Sequence, residues 1–181
     1  MPRLFVGIDL PEAHKARLAG LRDDALPGRW TPSSKYHLTL RFIGEVDEHR
    51  AAMVEQALAD CRAEAFSLQG RGMGVFPSQR RPRVLFAAID ATPVLFALQQ
   101  QVEQALRDIG LEAEPKPFRP HVTLARLRQA EAQAVRTFLD AHQAFTLAPF
   151  QVDQFHLYES VLRREGALHT SRASYGLTDG R

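Results

Sequence analysis

Hydrophobic and polar positions along this 181-residue chain change period several times, and each change marks an element. Residues 3–10 read as a buried strand. Pro11 then opens a helical stretch to about Leu26, with proline tolerated in the first turn, and Pro27-Gly28 ends it. The segment 36–43 is β-branched, aromatic and alternating, which predicts a strand closed by Gly44. Residues 48–64 place Met53, Ala57, Leu58 and Cys61 at helical spacing. Two strands, 66–76 and 83–90, flank a loop over 77–82. Thr92 can cap a helix whose apolar stripe runs Leu95, Leu98, Val102, Leu106 and Ile109, with Gly110 as its stop. The proline-rich run 114–120 can only be an extended loop. A strand over 121–127, a helix near 130–142, a long strand region about 145–158 and a last strand around 170–178 complete the pattern.

Strands joined by short connections argue for antiparallel pairs, so the expected fold is α+β rather than a doubly wound parallel sheet. The order strand, helix, strand, helix, strand occurs in both halves, which suggests a pseudo-twofold duplication within one two-lobed domain over 1–181. The length suffices to bury a core, and with 45% hydrophobic and 24% charged residues the composition is ordinary globular. The single cysteine, Cys61, reads as a small buried apolar residue in a reducing compartment. The first ten residues read as strand rather than as a leader, and no apolar run approaches a membrane span. A cytoplasmic monomer without membrane contact is the expectation. The net charge of +2 says little, but Arg71, Arg80, Arg81 and Arg83 form one basic cluster and Lys116, Arg119, Arg126 and Arg128 another.

The chemistry is carried by a repeat. His37-Leu38-Thr39-Leu40 returns as His121-Val122-Thr123-Leu124. On a strand, side chains at i and i+2 share a face with Cα atoms about 6.6 Å apart. Strict alternation therefore sends His37, Thr39 and Arg41 one way and Leu38, Leu40 and Phe42 the other, into the core. His121 and Thr123 likewise oppose Val122 and Leu124. Two imidazoles flanking one ligand can act as general base and general acid, because the ordinary histidine pKa lies near 6.5. Two uncharged hydroxyl donors suit the non-bridging oxygens of a phosphodiester.

Competing chemistries lack their signatures. There is no cysteine pair, His-x-His or His-Glu-x-x-His for a metal, no Gly-x-Ser-x-Gly elbow and no ATP-type phosphate loop. Neither a metal nor another cofactor is implied. Gly70-Arg71-Gly72-Met73-Gly74 reads as a strand or bulge. His14, His49, His142, His156 and His169 lack the motif context and read as structural, with His156 in a strand-like setting worth watching.

The paired motifs and their flanks resemble the two-histidine (2H) phosphoesterases, specifically the RNA 2′,3′-cyclic phosphodiesterases also called 2′-5′ RNA ligases. The resemblance runs through Arg3-Leu4-Phe5-Val6-Gly7-Ile8-Asp9-Leu10-Pro11, His37 to Val46, Gly74-Val75-Phe76-Pro77, Phe118 to Arg126, and Leu157-Tyr158-Glu159-Ser160 with Tyr175. It implies a bilobal α+β fold with mainly antiparallel sheets lining a cleft. It also implies metal-independent hydrolysis of an RNA 2′,3′-cyclic phosphate end to a 2′-phosphate, with 2′-5′ ligation as the reverse chemistry. By that resemblance His37 is the proton donor and His121 the proton acceptor, Thr39 and Thr123 hold the phosphate, and Arg126 contacts phosphate or RNA. Arg126 has the wrong parity for this unless a bulge re-aims it. A cyclic phosphodiesterase acting on a small nucleotide and a non-catalytic RNA-end binding module stay open as alternatives.

Overall fold

The computed structural model describes residues 1–179. Its elements run β1 (Arg3–Asp9), α1 (Glu12–Ala19), β2 (Gly28–Trp30), a 3-10 turn (Ser33–Lys35), β3 (His37–Glu45), α2 (Glu48–Ala59), β4 (Phe66–Ser78), β5 (Arg81–Ile89) and α3 (Pro93–Asp108). Then follow β6 (His121–Leu127), α4 (Ala132–Ala141), β7 (Thr146–Val152), β8 (Gln154–Arg163) and β9 (Gly166–Gly176). Among the described residues nine strands form one sheet in the order β7-β4-β5-β6-β3-β1-β8-β9, with β2 added against β6. Every pairing between these strands is antiparallel, so the fold is α+β as expected.

The sheet is bilobal. One lobe holds β3, β1, β8 and β9, the other β6, β5, β4 and β7, and they meet at a single registered pair, Leu38 with Val122. The successions β1-α1-β3-α2-β4 and β5-α3-β6-α4-β7 repeat one order, which puts the two motif strands side by side at the pseudo-twofold.

Helices cover the sheet by ordinary means. Thr92 Oγ1 accepts the Leu95 N–H at 3.3 Å and Pro93 opens α3, whose Leu95, Leu98, Val102 and Leu106 are fully buried. Each such leucine contributes about 1.5–3 kcal/mol relative to exposure. Asp47 caps α2 by accepting the Arg50 N–H at 2.7 Å. The buried stripe of α2 is Ala51, Val54 and Leu58, and it continues to Cys61 just beyond the helix. Leu58 and Cys61 lie inside as expected, but Met53 is exposed, because Ala51 and Val54 complete the i, i+3, i+7 stripe in the first turns.

Other boundaries also differ from expectation. Helix α1 stops at Ala19 rather than Leu26, since Asp23 Oδ1 takes the Ala25 N–H and the Asp23 carbonyl the Leu26 N–H, turning the chain out of the helix. Strand β2, three residues long, was too short to show a pattern. The stretch near 145–158 is two strands broken at Asp153, β7 pairing β4 and β8 pairing β1 in opposite lobes. Strand β9 begins at Gly166, not near 170, because it completes a long hairpin with β8. The 77–82 loop is tighter than expected, with Pro77 and Pro82 themselves paired across the β4–β5 hairpin. The glycine-rich 70–74 run is a bulged part of β4.

Candidate active site

Both motif strands carry a bulge at the same place, and β3 has a second one further on, at Ile43. Gly7 pairs with Thr39 and Val6 with Arg41, so β3 gains a residue on β1 immediately after its threonine. Phe86 pairs with Thr123 and Leu85 with Ala125, the same gain in β6. A bulge reverses which face the following side chains take. Burial follows suit: Leu38, Leu40 and Arg41 are buried while Phe42 is exposed, and Val122, Leu124 and Ala125 are buried while Arg126 is exposed.

Two expectations change as a result. Arg41 does not project with His37 and Thr39. It turns inward, where its Nε donates to Glu103 at 2.5 Å and its other nitrogens donate to the Phe42 and Glu112 carbonyls. Glu114 lies 3.7 Å away, and Glu103 also accepts the Glu114 N–H. Arg41 thus ties the first motif strand to the loop that leads into the second motif. Phe42, expected in the core, takes the cleft face near Phe5, their ring centroids 6.0 Å apart. Arg126 does share the face of His121 and Thr123, by way of the bulge. In the pseudo-twofold Arg126 and Phe42 are equivalents, so one end of the cleft is cationic where the other is aromatic.

With Leu38 opposite Val122, antiparallel register puts His37 beside Thr123 and Thr39 beside His121. Both imidazoles are set alike. The Nδ1–H of His37 donates to the Lys35 carbonyl at 2.8 Å, and that of His121 to the Arg119 carbonyl at 2.6 Å. Each ring therefore turns Nε2 toward the shared face. His37 Nε2 accepts from Thr39 Oγ1 at 2.9 Å. A proline stands near each accepting carbonyl: Pro32 opens the 3-10 turn that ends at Lys35, and Pro120 follows Arg119.

Burial lowers the His37 pKa to about 4; the Lys35 carbonyl opposes this, nearby His169 adds to it, and the Asp9 carboxylate opposes it again. Burial lowers His121 as well, opposed by the Arg119 carbonyl. Phe5 supports His37 at 4.7 Å between centroids and stacks on Tyr158 at 5.0 Å. Phe76 and Phe86, stacked at 4.2 Å, flank His121 at 5.0 and 5.3 Å.

Sequence reasoning passed over two groups here. Asp9 is the register partner of His37 on β1. His169, assigned a structural role, presents its ring edge to His37 with centroids 5.4 Å apart. Only the β8–β9 hairpin pairing brings it there, which no local pattern announces. His156 is buried, bonded through Nδ1 to Ser174 Oγ at 2.8 Å. His14 and His142 bond backbone carbonyls, and His49 is exposed. Arg80, Arg81 and Arg83 are exposed along the β4–β5 hairpin, and Lys116, Arg119 and Arg128 are exposed around β6. Among the described residues no group of three His, Cys, Asp or Glu side chains is gathered as a metal site.

Two symmetry-related imidazoles, each followed by a hydroxyl on its own strand face, in a bilobal α+β fold, define a 2H phosphoesterase. The model of the 2′-5′ RNA ligase superfamily matches residues 10–164, and the chain belongs to that superfamily, in its RNA 2′,3′-cyclic phosphodiesterase/ligase family. It is 35% identical over 159 residues to the RNA 2′,3′-cyclic phosphodiesterase of Aeropyrum pernix, covering 84% of this chain and 90% of that protein. To its counterpart from Bacillus subtilis it is 31% identical over 166 residues, 88% of this chain and 91% of the relative. Among solved structures, a Thermus thermophilus protein superposes with a TM-score of 0.82 at 27% identity, over 99% of this chain and 100% of that one. Escherichia coli LigT complexed with 3′-AMP gives 0.81 at 26% identity, with the same coverage.

Proposed function

We propose that this enzyme opens RNA 2′,3′-cyclic phosphate ends to 2′-phosphomonoesters, using two histidines and no metal. The observation that carries the reading is the matched tethering of both imidazoles. Each Nδ1–H is held by the carbonyl two residues back, so each Nε2 is the working nitrogen and both face one cleft. Aeropyrum pernix and Bacillus subtilis relatives described as RNA 2′,3′-cyclic phosphodiesterases, and a LigT structure with phosphate, support the substrate class.

In this mechanism His121 Nε2 takes a proton from water as the water oxygen attacks phosphorus. The P–O3′ bond breaks, and His37, as the imidazolium, returns a proton to O3′. Thr39 and Thr123 donate to the non-bridging oxygens and Arg126 neutralises the anion. Asp9 favours the charged form of His37, and among the described residues no carboxylate acts on His121 in the same way, which suits His37 to the acid's part. The phosphodiester's own negative charge counters the burial that otherwise keeps His37 neutral. Attack by a 5′-hydroxyl in place of water gives a 2′-5′ linkage by the same proton movements.

The test is turnover of a short RNA ending in a 2′,3′-cyclic phosphate, in EDTA, with the product isomer identified. The expected product is the 2′-phosphate alone, with His37→Ala and His121→Ala each slower by about 10²–10⁴. Full activity in either variant, or dependence on added metal, overturns the mechanism. Turnover of cyclic nucleotides that are not RNA ends, with none of the RNA, overturns the substrate.

A further inference from the structure

The His37 end of the cleft gathers three cations, Arg29, Lys35 and Arg126. Arg29 of β2 is the direct register partner of Arg126 on β6, so the two side chains share one sheet face. Like charges placed opposite one another on a sheet are destabilising unless something between them is negative. Lys35, whose carbonyl holds His37, lies at the same end. The β8–β9 hairpin closes over this group. A Cβ built on Gly166, at φ +118, would stand 2.2 Å from Arg29 Nη2 and 3.4 Å from Lys35 Nζ, so both cations converge on one point beneath the hairpin backbone. Among the described residues neither Arg29, Lys35 nor Arg126 has an ion-pair partner. His169 stands between this group and the motif, its ring 5.4 Å from His37 and 4.9 Å from Phe5. Burial, and then Lys35, lower its pKa, and no protein hydrogen bond occupies its ring nitrogens among the described residues. It is free to donate or accept toward a ligand.

We infer that Arg29 and Lys35, with His169 beside them, form a second phosphate subsite that takes the 5′-phosphate of the nucleotide whose cyclic phosphate lies between His37 and His121. This rests on the proposed reaction, in which His37 serves O3′. In ribose C4′ is bonded to C3′ and carries C5′, so the 5′-phosphate emerges on the O3′ side, beyond His37. That is the direction in which Lys35, Arg29 and the hairpin lie. At the other end, near His121, the equivalent of Arg126 is Phe42, while the equivalent of Lys35 is Arg119, exposed and likewise without an ion-pair partner among the described residues, so it is the direction of C5′ from O3′ that selects the His37 end. The subsite distinguishes an RNA end, which always carries a 5′-linked phosphate, from a bare cyclic nucleoside. The phosphate can be the monoester of a mononucleotide or the backbone diester of a longer RNA.

The experiment compares three substrates: a nucleoside 2′,3′-cyclic phosphate, the same compound bearing a 5′-phosphate, and a trinucleotide with a cyclic end. In the wild type the 5′-phosphate raises kcat/KM about tenfold or more, chiefly through KM, and the gain shrinks with salt. Arg29→Ala abolishes the gain while leaving turnover of the bare cyclic nucleoside unchanged, which also shows that the variant folds. Lys35→Ala lowers the ratio between the phosphorylated and bare substrates, whatever its effect on each. A gain confined to the trinucleotide and lost in Arg29→Ala assigns the subsite to backbone diesters. No gain in the wild type, or a gain that survives Arg29→Ala, overturns the subsite and leaves the reaction standing. Failure to turn over any of the three overturns the reaction, and the subsite with it.

Discussion

His37 Nε2 and Thr39 Oγ1 are hydrogen-bonded at 2.9 Å, two residues apart on one strand face. Because His37 Nδ1–H is committed to the Lys35 carbonyl, the hydroxyl is the donor in this bond. Thr39 therefore steadies the neutral ring and can turn the same proton toward a phosphate oxygen. Thr39→Val is expected to lower kcat/KM for a cyclic-phosphate end by about 10²–10³, as for other lost oxyanion donors, while Thr39→Ser keeps most of it. Steady-state kinetics on the three proteins checks this.

Burial depresses both imidazoles below 6.5, His37 to about 4. Acid–base catalysis needs one of them charged, so the kcat/KM optimum, which reports free enzyme, should fall on the acid side of 6.5. Bound phosphodiester stabilises the imidazolium, so the alkaline limb of kcat should lie at higher pH than that of kcat/KM. Coincident limbs would contradict this.

The same shift bears on stability. A histidine with a pKa lowered by folding is protonated first in the unfolded chain, so it costs nothing above 6.5 and destabilises the fold as pH falls from 6.5 toward 4. Calorimetry should show the thermal midpoint declining over that window, and a shallower decline in His37→Gln.

Arg41, buried, and Glu103, half-buried, form a pair whose removal by halves leaves a charge without its partner. Arg41→Met should cost about 3 kcal/mol in urea unfolding, and Arg41→Met/Glu103→Leu should recover much of that. Additive losses in the double variant would show that the pair does not act as a unit.

Behind His37 there is room for hydrogen only. A Cβ on Gly7 would sit 2.9 Å from the Leu38 carbonyl oxygen and 3.4 Å from His37 Cδ2. Gly7→Ala should destabilise by about 1–3 kcal/mol and lower kcat more than it raises KM, since the backbone that aims the ring must shift. Urea unfolding and steady-state kinetics on the one variant check both halves.

How far the sequence disclosed this site depended on parity. The two His-x-Thr strings were legible because two residues on a strand need no more than alternation. Beyond the threonines alternation failed, since a bulge is written in the neighbour's hydrogen bonds rather than in the strand's own residues. Arg41 and Phe42 were consequently assigned to each other's faces, and Arg126 waited on a bulge that β5 reveals. The capped, strongly periodic α3 is legible to its last leucine, while the apolar spacing carries α1 past its true end at Ala19, since the Asp23 side chain that turns the chain leaves no mark on that spacing. His169 was out of reach for a different reason. Its place beside His37 comes from β9 returning along β8 and β8 lying on β1, a path of pairings without local signature.

The halves of the sheet share one rung, Leu38 with Val122, directly between the two imidazoles. An anion gripped from both sides there is a second tie across the seam, made of substrate rather than of backbone. Occupancy then becomes cohesion: a ligand at a hundred times its Kd adds about 2.7 kcal/mol to the folded state. It adds it at the joint where the sheet itself is narrowest.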